Sequence, residues 1–292
     1  MTVLEAIQKS ADFLGKKGVE SSRLNAELLL AHLLKLPRMK LYLNFERALT
    51  ATETDGLREL VKRRGAREPL QHITGSTSFC GCEIAVSRQA LVPRPETEML
   101  AELGWQWLEF TQQRVSEQPK GWTPTALDFG TGTGCIAIAL AVKCPGAQIT
   151  ALDVSTGALA LARQNAELNK LNGRIEFLAG DGFAALLGKT AFDLIVSNPP
   201  YIASAEIETL EPEVRDFDPR TALDGGTDGL DFYRRLAKES VDRLKPAGKI
   251  MVEFGDGQAG AIKTIFEGEK WIVEAVREDY SHRARILVAR RL

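Results

Sequence analysis

The spacing of hydrophobic residues divides the chain into segments of different character. In residues 1–72 the apolar positions recur every three or four residues, as in VLEAIQKSADFL directly after Thr2, and this period is typical of amphipathic helices. Thr2 and Glu5 also have the spacing of a capping box at a helix start. We therefore predict a small helical domain over residues 1–72, with a role in docking a substrate rather than in chemistry.

Residues 73–95 alternate small, apolar and polar side chains around Gly75 and Gly81, which favours a β-hairpin linker. From about residue 122 strand patterns alternate with helical ones, and the predicted strands are TALDF, AQITALD, RIEFLAGD (ending at Asp181), FDLIV, GKIMVEFG, WIVEAV and ARILVARR. This alternation is typical of an α/β fold with a parallel sheet between helices. Residues 96–292 are therefore predicted to form a domain with a doubly wound, mostly parallel seven-stranded sheet.

Composition and charge narrow the class of protein. The 292-residue chain is 44% hydrophobic and 26% charged, which is ordinary for a soluble globular protein, and its formal net charge of −2 gives no overall basic signature for nucleic-acid binding. No apolar run reaches the roughly 18 residues of a membrane-spanning helix, and the charged N-terminus is unlike a signal peptide. The cysteines make no secreted disulfide framework, and neither they nor the histidines have metal-ligand spacing. We expect a cytoplasmic protein with no metal, membrane or nucleic-acid partner.

The segment DFGTGTG, from Asp128 to Gly134, lies between a predicted strand and a predicted helix. Its glycines let the backbone approach a ligand and turn tightly into the helix. Asp153 ends the next strand, where a carboxylate can bind both ribose hydroxyls of an adenosine; capping of the following helix is the alternative. Since ligands bind beyond the carboxyl ends of parallel strands, we expect one crevice to contain Asp128, Gly130, Asp153, Asp181 and Asn198, with an exposed turn as the alternative for Asp181.

The order of the glycines bears on which nucleotide binds. A dinucleotide site has the pattern G-x-G-x-x-G, whose helix start holds a pyrophosphate, whereas this loop has G-x-G-x-G preceded by the acid Asp128. An acid beside the loop suits a positively charged ligand. The sulfonium and amino groups of S-adenosyl-L-methionine (AdoMet) meet that demand, so the pattern favours AdoMet over NAD.

A second motif, NPPY, runs from Asn198 to Tyr201 and follows the apolar run FDLIV and a serine. Two prolines remove two backbone donors and fix two φ angles. The segment can continue neither a helix nor a central strand. It is a rigid, extended piece whose carbonyl oxygens stay available to a ligand that donates hydrogen bonds.

At these motifs the chain resembles the class I AdoMet-dependent methyltransferases, whose fold is Rossmann-like. DFGTGTG resembles their nucleotide loop, Asp153 their ribose-binding acid, and NPPY the signature of enzymes that methylate amide or exocyclic amino nitrogens. Three flanking segments, REPLQHITG, LVPRPETE and EPEVRDFDPRTALDGGTDGLDFYRRL, closely resemble the bacterial peptide chain release factor N(5)-glutamine methyltransferases. The resemblance covers nearly the whole chain. It implies methyl transfer, with S-adenosyl-L-homocysteine as product, to the glutamine of the Gly-Gly-Gln motif in class I release factors, in support of translation termination.

The motifs and the resemblance together predict the site residues. The predicted catalytic residues are Asn198, Pro199, Pro200 and Tyr201, and these are predicted to bind the substrate with Arg94 and Glu98. The residues predicted to bind AdoMet are Arg94, Pro95, Asp128, Phe129, Gly130, Thr131, Gly132, Thr133, Gly134, Asp153, Val154, Asp181, Gly182, Phe183 and Asn198. The family commonly has Trp near the adenine where this chain has Gly182, so either Phe183 supplies the ring or the adenine pocket is looser.

The chemistry implied by the resemblance explains the acceptors in NPPY. A carboxamide nitrogen is a poor nucleophile because its lone pair is delocalised into the carbonyl group. Its N–H groups become more acidic as it attacks the methyl group, so acceptors aimed at them bind the transition state more tightly than the ground state. The Asn198 side-chain oxygen and the Pro199 carbonyl are the expected pair, with Tyr201 against the flat amide and no evident general base.

Two other functions stay open at this point. One is an adenine-N(6) methyltransferase that acts on DNA or RNA, and the other is a non-catalytic AdoMet-binding protein. The net charge gives no sign of a basic target-recognition segment, which disfavours the first, and the intact NPPY motif disfavours the second. We expect a monomer whose partner is a release factor.

Overall fold

The computed structural model describes residues 1–113, 122–186, 188 and 190–292. The chain forms two compact units, and each of them contains two separate stretches of sequence. The first unit consists of Met1–Ser76 and Leu210–Phe217, and the second consists of Thr77–Thr209 and Asp218–Leu292.

Short helices build the first unit. They are α1 (Val3–Lys16), α2 (Ser22–Leu34), α3 (Arg38–Tyr42), α4 (Ala51–Gly65), α5 (Leu70–Thr74) and α9 (Pro212–Arg215). The capping box predicted at Thr2 is confirmed, since its Oγ1 accepts from the Glu5 amide at 3.2 Å and its own amide donates to the Glu5 carboxylate at 3.0 Å. Ile7 of α1 packs with Leu29 and Leu30 of α2 in the apolar core of this unit. The helical N-terminal region predicted from the sequence is therefore confirmed.

A cluster of ion pairs holds α9 within the first unit. Oε1 of Glu213 accepts hydrogen bonds from Nη2 of Arg64 at 2.9 Å and from Nε of Arg67 at 2.6 Å, and Glu211 accepts from Nη2 of Arg67 at 2.6 Å. Arg64 is only 7% exposed, so the Glu213 carboxylate is needed to neutralise its buried charge. Burial alone would raise the pKa of Glu213, but the hydrogen bonds, led by that from Arg67, outweigh burial and hold the pKa below its usual value.

A two-stranded sheet follows α5. Its strands, β1 (Ser76–Phe79) and β2 (Cys82–Ala85), are joined by a turn in which Cys80 and Gly81 have φ angles of +50° and +80°. Two positive φ angles are typical of the type I′ turn, whose twist fits a hairpin. The next helix, α6 (Pro95–Gln113), begins at the predicted proline.

The second unit is built around a seven-stranded sheet, which confirms the predicted fold class. Its strands are β3 (Thr125–Phe129), β4 (Gln148–Asp153), β5 (Ile175–Ala179), β6 (Phe192–Ser197), β7 (Leu244–Glu253), β8 (Trp271–Glu278) and β9 (Ala284–Arg291), in the order β5-β4-β3-β6-β7-β9-β8. The pairs from β5 to β7 are parallel, whereas β9 is antiparallel to both neighbours. The predicted end of the third strand was wrong: β5 ends at Ala179, and Asp181 already lies in a turn where its carbonyl binds Arg235.

Helices cover both faces of this sheet, as a doubly wound fold requires. Those not yet named are α7 (Cys135–Lys143), α8 (Thr156–Leu168), α10 (Asp231–Glu239) and α11 (Ala259–Gly268). Successive residues of β6 contact different cores: Leu194 and Val196 pack with the cluster that includes α7, and Ile195 packs with the cluster around Tyr233. Burial on both faces explains the nearly continuous apolar run of this strand. Within the described ranges, no helix is both long enough and apolar enough to cross a membrane.

The strand order creates a crevice at the carboxyl edge of the sheet. From β3 the chain continues to β4 and β5 on one side, and later to β6 and β7 on the other side. The loops after β3 and β6 therefore diverge, and a ligand crevice forms where they do so. The glycine loop follows β3 and the NPPY segment follows β6, so both motifs border this crevice.

The ion-pair cluster of the first unit gives a stability prediction. Glu213→Gln should lower the free energy of unfolding by about 1.5–3 kcal/mol at neutral pH, because it weakens the hydrogen bonds between charged groups that neutralise the buried Arg64. Because the folded-state pKa of Glu213 lies below its ordinary 4.5, this contribution is present above pH 4.5 and is lost as the pH falls through the folded-state pKa. Denaturant unfolding of wild type and variant at several pH values measures both effects.

Glu208→Gln is the matched control for this experiment. Glu208 pairs with Arg220 at 3.2 Å, and both side chains are more than half exposed, so its loss should cost at most about 1 kcal/mol. Equal losses for the two variants would show that the buried cluster does not stabilise the first unit.

Candidate functional site

A cavity lies within the second unit, at the carboxyl ends of β6, β3, β4 and β5. Each of these strand ends contributes to its wall: Asn198 after β6, Gly130 after β3, Asp153 on β4 and Gly182 after β5. The predicted site residues on this wall are Arg94, Phe129, Gly130, Thr131, Gly132, Thr133, Asp153, Val154, Asp181, Gly182, Asn198 and Pro200. The predicted site residues away from it are Pro95, Glu98, Asp128, Gly134, Phe183, Pro199 and Tyr201.

Hydrogen bonds fix the glycine loop against β4. The amides of Gly130 and Thr131 both donate to the carbonyl oxygen of Leu152 at 2.9 Å. The amide of Gly132 donates to Oδ2 of Asp153 at 2.8 Å. The loop therefore has a defined shape that depends on the end of the neighbouring strand.

Asp153 holds the loop and also borders the cavity. Its second oxygen, Oδ1, accepts from the Ser155 amide at 2.8 Å. The cap of α8 is Ser155, whose hydroxyl accepts from the Ala158 amide at 3.1 Å, so the alternative role of Asp153 as that cap is wrong. A carboxylate oxygen accepts about two hydrogen bonds, which leaves Asp153 with acceptor capacity toward a ligand.

Asp128 lies beneath the loop and has no exposed surface. Its Oδ2 accepts from the hydroxyl of Thr131 at 2.6 Å and from the amide of Ala137 at 3.1 Å. Its Oδ1 has no hydrogen-bond partner in the part of the chain that the structure describes. Burial raises the pKa of Asp128 to about 7, and the nearby Asp153 adds to the rise. Asp128 therefore supports the loop from inside and does not reach the cavity wall.

Gly134 allows close packing of α7 against α8 beneath the glycine loop. It has a φ angle of +81° directly before α7, and a Cβ atom at this position would lie 3.0 Å from the Cβ of Ala162 on α8. Contacts this short are rare for side-chain carbons, so glycine allows the two helices to approach each other.

The amide group of Asn198 is oriented by α6. Its Nδ2 donates to Oγ1 of Thr97 at 3.0 Å, and Thr97 is itself 3% exposed. This bond uses the amino end of the side chain and leaves Oδ1 available as an acceptor. Tyr201 packs against the apolar core, and its carbonyl accepts from Nε2 of Gln258 at 2.8 Å. The tyrosine ring therefore anchors the segment, whereas the Asn198 side chain borders the cavity.

A buried carboxyl group lies next to Asn198. Glu253 ends β7 and is 3% exposed, and its Oε2 has no hydrogen-bond partner among the described residues. Burial raises the pKa of Glu253 to about 7, although the side chains of Thr97 and Asn198 act in the opposite direction. Glu253 was not predicted as a site residue because it lies within the apolar run GKIMVEFG and belongs to no motif.

The charged residues around the start of α6 contact different parts of the second unit. Arg94 lies on the cavity wall and forms an ion pair of 2.6 Å with the fully buried carboxylate of Asp218. Glu98 accepts from the Cys80 amide at 2.8 Å and so supports the hairpin. Thr97, which the sequence analysis did not assign, lies between these two residues in the predicted segment LVPRPETE.

Gly182, the residue after Asp181, is covered by the side chain of Arg235, which the sequence did not indicate. Phe183 is 3% exposed and packs against Phe129 with 4.9 Å between the ring centroids, so its ring does not reach the cavity wall. The guanidinium of Arg235 instead lies over Gly182, where any Cβ atom would overlap with Nη2 of the arginine. No local pattern indicates this contact, because Arg235 belongs to α10.

The described side chains of the site form no evident metal centre. Among residues 1–113, 122–186, 188 and 190–292, no three or more His, Cys, Asp and Glu side chains are grouped closely enough to hold a metal ion. The cavity wall combines backbone amides, the carboxylates of Asp153 and Asp181, the carboxamide of Asn198 and the guanidinium groups of Arg94 and Arg235. These groups suit hydrogen bonding to an organic ligand.

Two regions of the chain match family models. Residues 5–75 match the PrmC N-terminal domain, and residues 113–211 match the methyltransferase small domain. The fold also resembles the crystal structure of the hMettl16 catalytic domain in complex with MAT2A 3'UTR hairpin 1, with 18% identity, a TM-score of 0.56 and coverage of 90% of each chain. At that identity the likeness shows the fold alone.

The chain is also similar to proteins named release factor glutamine methyltransferase. The protein from Geobacter sulfurreducens is 43% identical over 265 residues, which are 91% of this chain and 88% of the relative. The protein from Koribacter versatilis is 38% identical over 291 residues, which are 100% of this chain and 99% of the relative. With this identity over nearly its whole length, the chain belongs to the release factor glutamine methyltransferase family.

Proposed function

We propose that the chain transfers a methyl group from AdoMet to the side-chain amide nitrogen of the glutamine in the Gly-Gly-Gln motif of class I peptide chain release factors. The observation that carries this proposal is the position of Asn198, on the wall of the cavity that also contains the glycine loop and Asp153. A carboxamide acceptor beside a nucleotide loop is the arrangement that amide methylation needs. Membership of the family supports the same substrate class.

The cavity suits AdoMet in its shape and its charge. A Cβ atom at Gly130 would meet nothing within 4 Å, so the backbone of the loop is open to a ligand. Asp153 has acceptor capacity for ribose hydroxyls. The unpartnered oxygen of the buried Asp128 would favour a cation above the loop, and a cation would in turn favour the ionised carboxylate. When bound, AdoMet would supply an electrophilic methyl group.

Asn198 and Pro199 would activate the glutamine side chain. The reacting nitrogen gains a bond to carbon and loses one N–H proton, so hydrogen-bond acceptors on its N–H groups become more effective as the reaction proceeds. Oδ1 of Asn198 borders the cavity and is the first acceptor. The carbonyl oxygen of Pro199, a residue away from the cavity wall, is proposed as the second, and we expect the proton to pass to water. Proline fixes φ at this place, so little reorganisation is needed.

The bond to Thr97 matters for this chemistry because a carboxamide has a donor end and an acceptor end. If the Asn198 amide were reversed, it would present N–H groups to the N–H groups of the substrate. Nδ2 of Asn198 instead donates to Oγ1 of Thr97, which keeps the oxygen available. The side chain is thus set in advance for a substrate that donates hydrogen bonds.

We further propose that the helical N-terminal region docks the release factor. The predicted division is docking over residues 1–72, a hairpin linker over 73–95 and methyl transfer over 96–292. Two apolar side chains, Met39 in the first turn of α3 and Leu43 directly after this helix, are 66% and 77% exposed. Exposed apolar groups of this kind suit a protein partner better than a nucleic acid.

Incubation of the protein with AdoMet and a purified class I release factor tests the proposed reaction. Mass spectrometry should find one added methyl group on the glutamine of the Gly-Gly-Gln motif. Label from tritiated AdoMet that appeared only on DNA or RNA would contradict the proposal and favour adenine methylation instead.

The role of Asn198 can be measured in the same assay. Asn198→Ala should lower the rate of methyl transfer by about 10²–10³-fold, the usual effect of losing one group that stabilises a transition state. Asn172→Ala, which alters an exposed asparagine after α8, is the control and should leave the rate unchanged. An unaltered rate in Asn198→Ala would remove Asn198 from the mechanism.

Asp153 gives a separate prediction for binding. Asp153→Ala should weaken AdoMet binding by about 1.5–3 kcal/mol, because hydrogen bonds to a charged group are lost, and titration calorimetry measures this change. Asp256→Ala serves as the control, since that exposed acid lies in the loop after β7. Equal affinities for wild type and Asp153→Ala would exclude the carboxylate from the ribose contact.

A further inference from the structure

The proposed function gives a ligand in the cavity a direction along the sheet. With the reacting methyl group at Asn198 and the ribose at Asp153, the ligand runs from the end of β6 past β3 to β4. The next strand in this direction is β5, and neighbouring strands lie about 4.8 Å apart. The adenine base of AdoMet would therefore lie near the end of β5, where Gly182 and Arg235 form the wall.

Arg235 fills the space that a side chain at position 182 would occupy. Gly182 has a φ angle of +66°, and a Cβ atom there would overlap with Nη2 of Arg235. The guanidinium group therefore lies directly over the bare backbone of Gly182. Phe232, one turn earlier on α10, also borders the cavity, so this helix supplies both a charged plane and an apolar ring to this end of the wall.

Three acceptors fix the orientation of the guanidinium group. Nη1 of Arg235 binds the Asp181 carboxylate, Nη2 donates to the Asp181 carbonyl at 3.0 Å, and Nε donates to Glu239 at 3.1 Å. All N–H groups of a guanidinium point outward in its plane. These bonds therefore hold the plane in place and leave the face turned away from Gly182 for stacking, a contact that arginine makes readily with aromatic rings.

We infer that Arg235 forms the nucleobase contact of this enzyme, with its guanidinium plane stacked on the adenine of AdoMet. The inference rests on the proposed function, because Asn198 and Asp153 give the ligand its direction. Gly182 and Arg235 act as a pair, since any side chain at 182 would displace the arginine.

Titration calorimetry of AdoMet with the full-length protein tests this inference. Arg235→Ala should weaken binding by about ten- to a hundredfold, the usual effect of losing one stacking contact with a base. Arg235→Lys keeps the charge but loses the plane, and should weaken binding to a similar extent. Arg235→Phe keeps a flat surface and should retain most of the affinity. Binding by the Lys variant as tight as wild type, or by the Phe variant no tighter than Ala, would overturn the inference.

Arg234→Ala is the matched control on the same helix. Arg234 pairs with Asp228 and Asp231 and is not part of the cavity wall, so its loss should leave the affinity unchanged. A loss of affinity equal to that of Arg235→Ala would mean that α10 as a whole matters, and not the guanidinium plane. Thermal unfolding checks that each variant folds; should Arg235→Ala fail to do so, the Lys and Phe variants decide.

The same titrations separate this inference from the proposed function. If the wild-type protein binds no AdoMet, the proposed function fails and the role of Arg235 fails with it. If the wild type binds AdoMet and every Arg235 variant binds it equally well, the proposed function stands and only the role of Arg235 is lost.

Discussion

The geometry of the site depends on one atom more than on any other, the carbonyl oxygen of Leu152. Two successive amides, those of Gly130 and Thr131, donate to it at 2.9 Å, and they tie the loop after β3 to the end of β4. Asp153, the next residue, holds Gly132 through its carboxylate. Contacts within the protein therefore fix the loop and the acid relative to each other, and preorganisation of this kind reduces the entropy cost of binding.

The opposite side of the cavity is fixed in a similar way, and it carries an electrostatic cost. The hydroxyl of Ser197 donates to the Phe129 carbonyl at 2.7 Å and joins the end of β6 to that of β3. Two buried carboxyl groups near the cavity, Asp128 and Glu253, have pKa values raised to about 7, chiefly by burial. The contribution of these two groups to stability therefore falls as the pH rises from the ordinary carboxyl range to about 7, because the unfolded chain releases these protons first. Costs of this kind are typical of functional sites, where the surrounding fold offsets them.

The sequence indicated those features of the site that depend on neighbouring residues. The strand TALDF, the glycine loop and Asp153 belong to one β-α-β unit, so local patterns alone could predict their relation, and the two prolines of NPPY act through their own rings. Contacts between distant parts of the chain left no such pattern. Thr97 meets Asn198 because α6 packs beside β6, and Arg235 meets Gly182 because α10 packs in the same core cluster as Phe183. Such pairs become visible only when the order of strands and helices is known.

The stretch Leu210–Phe217 has a consequence for how this protein can be divided. The chain enters the first unit at its N-terminus and again between NPPY and α10. A gene fragment that began after Ser76 would retain Glu211 and Glu213 but would lack Arg64 and Arg67, which neutralise them. It would thus encode an incomplete unit and not a self-contained catalytic module. An exchange of the helical part between relatives would have to replace both stretches together.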